Sequence, residues 1–559
     1  MKRLNSAKIR FVFVVFAAAM VLSSGSVKAD FTFGEPIHLG PPFSTTYGDG
    51  ITYVTADGLE MYFDYLNRPG GYDGWDIWVS KRETMDDDWP APLNLGSRIN
   101  TGQSDACTYI SADGLELYFC SYNRSGGYGS FDIWVTKRAT KNDPWDQPIN
   151  LGSKVNSSAW DSCPSISMDG LELYYASRRS GGYGSDDIWV SRRATKDDPW
   201  VEPENLGPVV NSSASESLTF LSSDGLLLFF SEDSSAPIRP GGFGNMDMWV
   251  TRRASISDLW GTPVNLGPTV NTSSLDGGPR ISPDGTTLYF SSKRPGGLGG
   301  SWGDIYQAPI IPLVDFNGDG NIGISDLVII INNWGQNNPS IDIGPFAWGD
   351  GLVDKEDLEV LMKYWGQKFD DPTLIANWKL DETEGTAALD SVGGIEAEVY
   401  GDPVWCPADG MVDGALMLDG IDDCVGTWEI PSLSEGDFSI FAWIKGGAPG
   451  QVVISEFHGV NWLMADAVTG YLGTDLGEQS LVSSVNITDD NWHRVGLSWD
   501  GTNRVLIVNN VAVALDMQRR NLERTEVELN IGCGPNSTSG TFFSGLIDDV
   551  RIYNRAITP

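Results

Sequence analysis

The chain has 559 residues, among them 65 glycines and 21 tryptophans, and a formal net charge of -38. That length exceeds what one hydrophobic core organises and predicts three or four domains, while the glycine and tryptophan content points to turn-rich β structure. A surface this acidic repels phosphates, which excludes nucleic acid as a partner, and it suits hydrated cations.

Lys2, Arg3, Lys8 and Arg10 precede an apolar run from Phe11 to Leu22, which is too short to span a bilayer, and Val27-Lys28-Ala29 follows as a cleavage site. The pattern is that of a secretory signal peptide over 1–29. Its removal, with Lys28, brings the net charge to -43. No later stretch reaches about 18 consecutive apolar residues. The expectation is therefore a secreted or cell-surface-associated protein with no membrane insertion after cleavage.

Export permits disulfides. The six cysteines are Cys107, Cys120, Cys163, Cys406, Cys424 and Cys533, without CxxC spacing and with only three histidines in the chain, which argues against zinc and haem. Cys107 and Cys120 straddle a two-residue Asp113-Gly114 turn and would face each other across a hairpin. Cys163 holds the place of Cys107 in the next repeat and offers a competing pairing, and Cys406 and Cys424 could bridge near the C-terminus. The sequence leaves these pairings open.

Repetition dominates the first half. Asp-Gly turns recur at Asp57, Asp113, Asp169, Asp224 and Asp284, at intervals of 56, 56, 55 and 60 residues, each flanked by alternating apolar positions as in ISADGLELYF. About 20 residues on, a Gly-rich loop enters Asp-Ile-Trp or a variant, at Asp76, Asp132, Asp187, Asp247 and Asp304. A third landmark, W-x-x-P-x-N-L-G, begins at Trp89, Trp145, Trp200 and Trp260. Four short strands at this period make a propeller blade. The last unit lacks the third landmark, and FGEPIHLG at 33–40 supplies it, with Phe33 at the Trp position and His38 at the Asn position. These units resemble TolB-type and related WD-like repeats, which implies a five-bladed β-propeller over 30–309, closed by its N-terminal strand.

One acid precedes each innermost strand: Asp49, Asp105, Asp161, Glu216 and Asp276. Recurring at one place in every blade, these acids are expected to ring one mouth of the channel, either as a cation or polar-ligand site or as loop caps. The Asp of each Asp-Ile-Trp is expected to fix its loop, and the landmark tryptophans to pack between blades.

Residues 315–326, DFNGDGNIGISD, carry side-chain oxygens at positions 1, 3 and 5 on Asp315, Asn317 and Asp319, a glycine at position 6, the Asn321 carbonyl at 7 and Asp326 at 12. This is the donor pattern of an EF-hand calcium loop. Leu327, Ile330, Ile331 and Trp334 then follow at helical spacing, and Leu358, Leu361, Met362 and Trp365 repeat it. The pair, over 314–366, resembles a type I dockerin, which implies Ca2+ and a cohesin-type protein partner chosen at loop positions 10 and 11, here Ile324-Ser325 and Lys355-Glu356. The second loop is degenerate. Asp350, Asp354 and Asp357 fit positions 5, 9 and 12, but Phe346 and Trp348 fall where ligands belong, and Asp342 reaches in only if 345–348 bulge out. Without a cohesin, the module is a calcium-stiffened spacer.

From ANWKLDETEGTAALDSVGG to FFSGLIDDVRIYNRAIT, residues 374–559 alternate apolar and polar positions broken by Gly and Asp turns. They resemble a LamG-like, concanavalin A-like jelly roll, which implies a β-sandwich with glycan or protein recognition. In some such relatives the motifs holding Asp390 and Asp548 carry calcium. Trp378, Trp443 and Trp492 are expected in its core.

The fold class is thus mainly β: a five-bladed propeller, a small α-helical EF-hand-like pair and a C-terminal sandwich. No HExxH or Walker loop is present, and no acid singles out one blade. The reading is a non-catalytic binding or scaffold protein with calcium-dependent assembly and a glycan or protein ligand. A secreted polysaccharide-degrading component of a cellulosome-like complex is the alternative, since hydrolysis needs two differentiated carboxylates.

Overall fold

The computed structural model describes residues 31–233, 239–338, 340–369, 371, 373–427, 430–431, 437–517 and 526–557. The expected signal peptide lies outside the described residues.

Five antiparallel sheets form the propeller. The first runs Gly48–Val54, Glu60–Leu66, Trp75–Lys81 and Leu93–Asn94, and three more repeat that meander up to Val264–Asn265. The fifth, Asp276–Ile281, Thr287–Ser292 and Asp304–Pro312, takes its outer strand from the other end of the chain. There Ile37 and His38 pair with Gln307 and Tyr306, so His38 faces Tyr306 as Asn94 faces Trp78, and Phe31–Phe33 extends the ladder along Ile310–Pro312. Consecutive innermost strands touch in a closed ring, the fifth meeting the first. Closure leaves no blade exposed as an edge for another chain to pair with.

Blades are latched at their outer ends. Arg138 lies 4.3 Å over Trp145 and donates to both carboxylate oxygens of Glu60 in the preceding blade, at 3.0 and 2.8 Å. Arg253 repeats this with Trp260 and Glu172. The Asp-Gly hairpins differ from expectation. Ser111 N donates to Glu116 O across the loop, so Ala112–Leu115 is a four-residue turn, held by Asp113 accepting from Ser111 Oγ and Leu115 N.

Two short helices follow, α1 (Ile324–Asn332) and α2 (Lys355–Tyr364). Their buried face is narrower than the spacing suggested. Ile329, Ile330, Val360 and Leu361 enter the small core, whereas Ile331, Trp334, Met362 and Trp365 are exposed, because two helices of about three turns meet along a single stripe.

The C-terminal domain packs two eight-stranded sheets face to face, with a two-stranded ribbon of Ile430–Pro431 and Glu526–Val527. Phe438, Ile440, Ala442 and Ile444 alternate inward along Phe438–Gly446. Trp443, of opposite parity, is only half-buried, as is Trp492; Trp378, Trp462 and Trp499 are the core tryptophans. Of the pairings the sequence left open, Cys406–Cys424 does not form: Cys424 bonds Cys533, just beyond the strand that pairs with its own through Val425–Ile531, and Cys406 is free.

Candidate functional site

The five repeated acids do not face solvent, and of their two readings their hydrogen bonds are those of loop caps. Asp49, Asp105, Asp161, Glu216 and Asp276 are all 0% exposed. Each accepts the backbone N–H of the Thr or Ser four residues earlier, at 2.5 to 2.8 Å, for example Thr45 N on Asp49 and Thr272 N on Asp276. Arg124, Arg179, Arg239 and Arg294 neutralise the last four. The Asp of each Asp-Ile-Trp caps its Gly-rich loop in the same way, as Asp132 does by accepting Tyr128 N at 2.7 Å.

What faces the mouth is the residue next to each fixed acid, and there the repeats diverge. The position before Asp-Ile-Trp is Trp75, Phe131, Asp186 and Met246 in the first four blades, and all four line a cavity of about 310 Å³. The position before the buried acids adds Trp160, Ser215 and Leu275, and Trp302 enters from the fifth blade. Phe131 stacks on Trp160 with centroids 4.3 Å apart, and the Arg178 guanidinium lies 4.5 Å over the outer face of Trp160. Arg178 is held by a bidentate pair to Asp186, at 2.9 and 3.0 Å, and Asp186 also accepts from Ser215 Oγ at 2.7 Å. Trp75 and Trp302 meet edge to face at 6.0 Å. Asp233 adds a second carboxylate to the lining. Asp186 and Asp233 are therefore acids confined to single blades, which the reading of the repeats overlooked. The signal was legible as the variable residue flanking each invariant one.

Deeper in, the channel is packed by Tyr53, Tyr109, Phe220 and the buried Arg280. Its far end is closed by Trp348, whose Nε1 donates to Asp224 at 2.7 Å and whose carbonyl accepts from Arg252. Phe346 stacks on Trp348 at 5.0 Å.

Trp348 belongs to the second loop of the helix pair, which matches the first bond for bond. Asp315 accepts Asp319 N and Gly320 N, and Asp342 accepts Asp350 N and Gly351 N. Asp326 accepts Phe316 N and Gly323 N, and Asp357 accepts Ile343 N and Asp354 N. Each loop also bonds the segment after the other helix, Ile322 N to Gln367 O and Val353 N to Gln336 O. The second loop spans four residues more between its end acids, and the extra residues, 345–348, are those that reach the propeller. Asn317 and Asp319 hydrogen-bond each other, Asn321 is exposed, and Asp354 caps α2 by accepting Glu356 N. Burial, with Asp319 close by, pushes the Asp315 carboxyl up to about 7, and burial pushes Asp342 up to about 6. Among the described residues no Lys or Arg salt-bridges Asp315, Asp319, Asp326, Asp342, Asp350 or Asp357. Hard oxygen donors with no cation bonded to the carboxylates themselves suit a calcium-sized cation.

The first loop rests on the sandwich. Arg494 donates to Asn317 O and Gly318 O, Tyr553 Oη to Gly318 O, and Arg555 to Asp315 O. Ile324 and Ser325 stand exposed in the first turn of α1; Lys355 and Glu356, in that of α2, pair with each other. In the sandwich, Asp390 spends both oxygens on Asn377 N, Val392 N and Gly393 N. Asp548 accepts Met411 N and Val412 N through one oxygen, and burial pushes it up to about 7.

Residues 419–559 match the model of the Laminin_G_3 family of the concanavalin A-like lectin/glucanases superfamily, so the C-terminal body carries a concanavalin A-like domain. No curated relative matches the chain in sequence. Among solved structures it is similar to Trypanosoma rangeli sialidase in complex with the inhibitor DANA, at 10% identity over 94% of this chain and 96% of that one, with a TM-score of 0.43. It is also similar to Bacteroides ovatus xyloglucan PUL GH43B, at 13% identity over 93% and 100% of the chains, with a TM-score of 0.33. Domain 4 of AbnA, a GH43 extracellular arabinanase from Geobacillus stearothermophilus in complex with arabinotriose, shares 19% identity over 33% and 94%, with a TM-score of 0.27. At such identities and scores the likeness bears on neither chemistry nor ligand.

Proposed function

We propose that the protein is an exported carbohydrate-binding scaffold, with sugar held in the open mouth of the propeller and a calcium-stiffened helix pair joining the propeller to the sandwich. The observation that carries this is the aromatic lining: Trp75, Phe131, Trp160 and Trp302 occupy places where the fold requires no aromatic residue, in a cavity of sugar size. Sugar rings present C–H faces that stack on indole and phenyl rings, and their hydroxyls suit the Arg178–Asp186 pair and Ser215. Calcium, held by Asp315, Asn317, Asp319, Asn321 and Asp326 and by Asp342, Asp350 and Asp357, would supply the charge these carboxylates lack. The exposed apolar Ile324, Val328 and Ile331 on α1, beside Ser325, favour docking of a cohesin-type protein there. One observation favours the hydrolase alternative: Asp186 and Asp233 bring two carboxylates into the same mouth.

Retention on immobilised neutral polysaccharides, with assay of released reducing ends, tests the reading. We expect binding without turnover, weakened about tenfold or more by Trp160→Ala. Turnover abolished by Asp186→Asn would hand the mouth to the hydrolase alternative, and absence of any retained polysaccharide would remove the carbohydrate reading.

A further inference from the structure

We infer that Cys107 and Cys163 are joined by a disulfide that pins the second propeller blade to the third within the lining of the mouth. Their Sγ atoms lie 3.0 Å apart, and both residues line the same cavity as Phe131 and Trp160.

The geometry arises from the repeat. In each innermost strand the ladder slips just after the buried acid, between Ala106 and Tyr109 in the second blade and between Ser162 and Ser165 in the third. The bulged residue turns into the channel with left-handed backbone, at φ 58° for Cys107 and 54° for Cys163. Glycine takes that conformation without strain, and Gly278 does so in the fifth blade at φ 70°. Leu218 takes it in the fourth blade at φ 54°, so the bulge itself sets the conformation; two neighbouring blades carry a cysteine at this position, and the shared geometry brings their thiols side by side. Register puts Ala106, not Cys107, opposite Cys120; the Cys120 thiol also lies beside Cys107, and the test below separates the two pairings. Cys120 remains a buried thiol lining the cavity.

Formation is a two-electron oxidation. The Sγ–Sγ bond forms as the two thiols give up two protons and two electrons to a disulfide-bearing oxidant of the export compartment, whose own S–S bond is cleaved to two thiols. The cross-link spans the boundary over which the aromatic wall is built, since Phe131 of the second blade meets Trp160 of the third both by stacking and by a parallel bridge. On the proposed reading of the mouth as a sugar site, the bond holds that wall in one piece.

The test is a thiol count on the full chain exported into an oxidising compartment, alkylated in denaturant without reductant. With Cys424 and Cys533 already bonded, two alkylated cysteines, Cys120 and Cys406, and a linked peptide pair containing Cys107 and Cys163 are expected. Four alkylated cysteines, or a Cys107–Cys120 peptide pair, would overturn the inference. Cys120→Ser should leave the Cys107–Cys163 link intact, so its loss in that variant would overturn it as well. The count stands whether or not sugar binds. Where polysaccharide is retained, mild reduction should weaken retention severalfold in the wild type and leave Cys163→Ser unchanged, and an equal loss in both would show that the link does not support the wall.

Discussion

At one end of the propeller channel the blades leave a cavity of about 310 Å³ walled by four aromatic side chains, whereas at the other end Trp348, from outside the propeller, fills the opening and leaves about 120 Å³. Both ends rest on the same five repeats. At the open end the repeats keep their loop-capping acids and vary the residue beside each one, so a varied lining is laid onto an unchanged scaffold. At the closed end the blades stay regular, even lending the Asp224 of an ordinary Asp-Gly turn to the plug, and the departure lies in the second loop of the helix pair. A repeat protein thus shows its scaffold where units agree and its binding surfaces where they do not.

Breaking the closed end should have the larger effect. Trp348→Ala removes a buried ring stacked on Phe346 and against Phe31 and takes the indole donor from Asp224 Oδ2, while Oδ1 keeps Ser222 Oγ and Leu226 N. We expect it to lower stability by about 3–5 kcal/mol in denaturant titration. Trp160→Ala, at a half-buried site, should cost far less stability although it disables the mouth, and equal losses in the two variants would erase the contrast between the ends. Next in size is the metal. Saturating calcium at roughly 100 to 1,000 times its dissociation constant should raise stability by about 3–4 kcal/mol per site. Calorimetry is expected to count two ions per chain, one lost in Asp326→Ala and the other in Asp357→Ala. Retention of both ions in Asp357→Ala would make the second loop a plug and nothing more.

The five blades and their closure were legible because Asp-Gly, Asp-Ile-Trp and Trp landmarks are local signals tied to turns and caps. The mouth was less so. Nothing in a single repeat says which flank of a buried acid faces the channel; Trp160 and Asp161 exchange roles on a shift of one residue. The second loop read as degenerate because an insertion moved Phe346 and Trp348 into ligand positions, and only the fold shows that 345–348 leave the loop for the propeller while Asp342 takes the place of Asp315. Trp443 and Trp492 were misassigned to the sandwich core because alternation marks two faces without saying which is inside. The Cys424–Cys533 bond lay beyond local reading for a related reason: its partners are 109 residues apart.

The smallest effect concerns Asp64, which stands in the first blade where the second has Cys120 and the third Ala176. Its carboxylate accepts Cys107 N at 2.6 Å and Thr108 Oγ1 at 3.1 Å, and burial, only partly opposed by those bonds and by Arg280, pushes it up to about 7. An unfolded aspartate titrates near 3.8. Between those values the native chain holds a proton that the unfolded chain has released, so stability falls as pH rises through the window and the loss is complete above about 7. Asp49 and Glu216 are pushed to about 7 as well, so the wild-type slope is a sum, and a subtraction is needed to isolate one group. Asp64→Asn keeps the shape and cannot ionise. Urea unfolding at pH 5 and pH 8 should show the variant losing less stability than the wild type across that interval, by on the order of 1 kcal/mol. Identical losses would mean that Asp64 is ionised in the folded protein, with Arg280 as its counter-charge, and that the channel between the two ends carries an ion pair instead of a neutral acid beside a lone guanidinium.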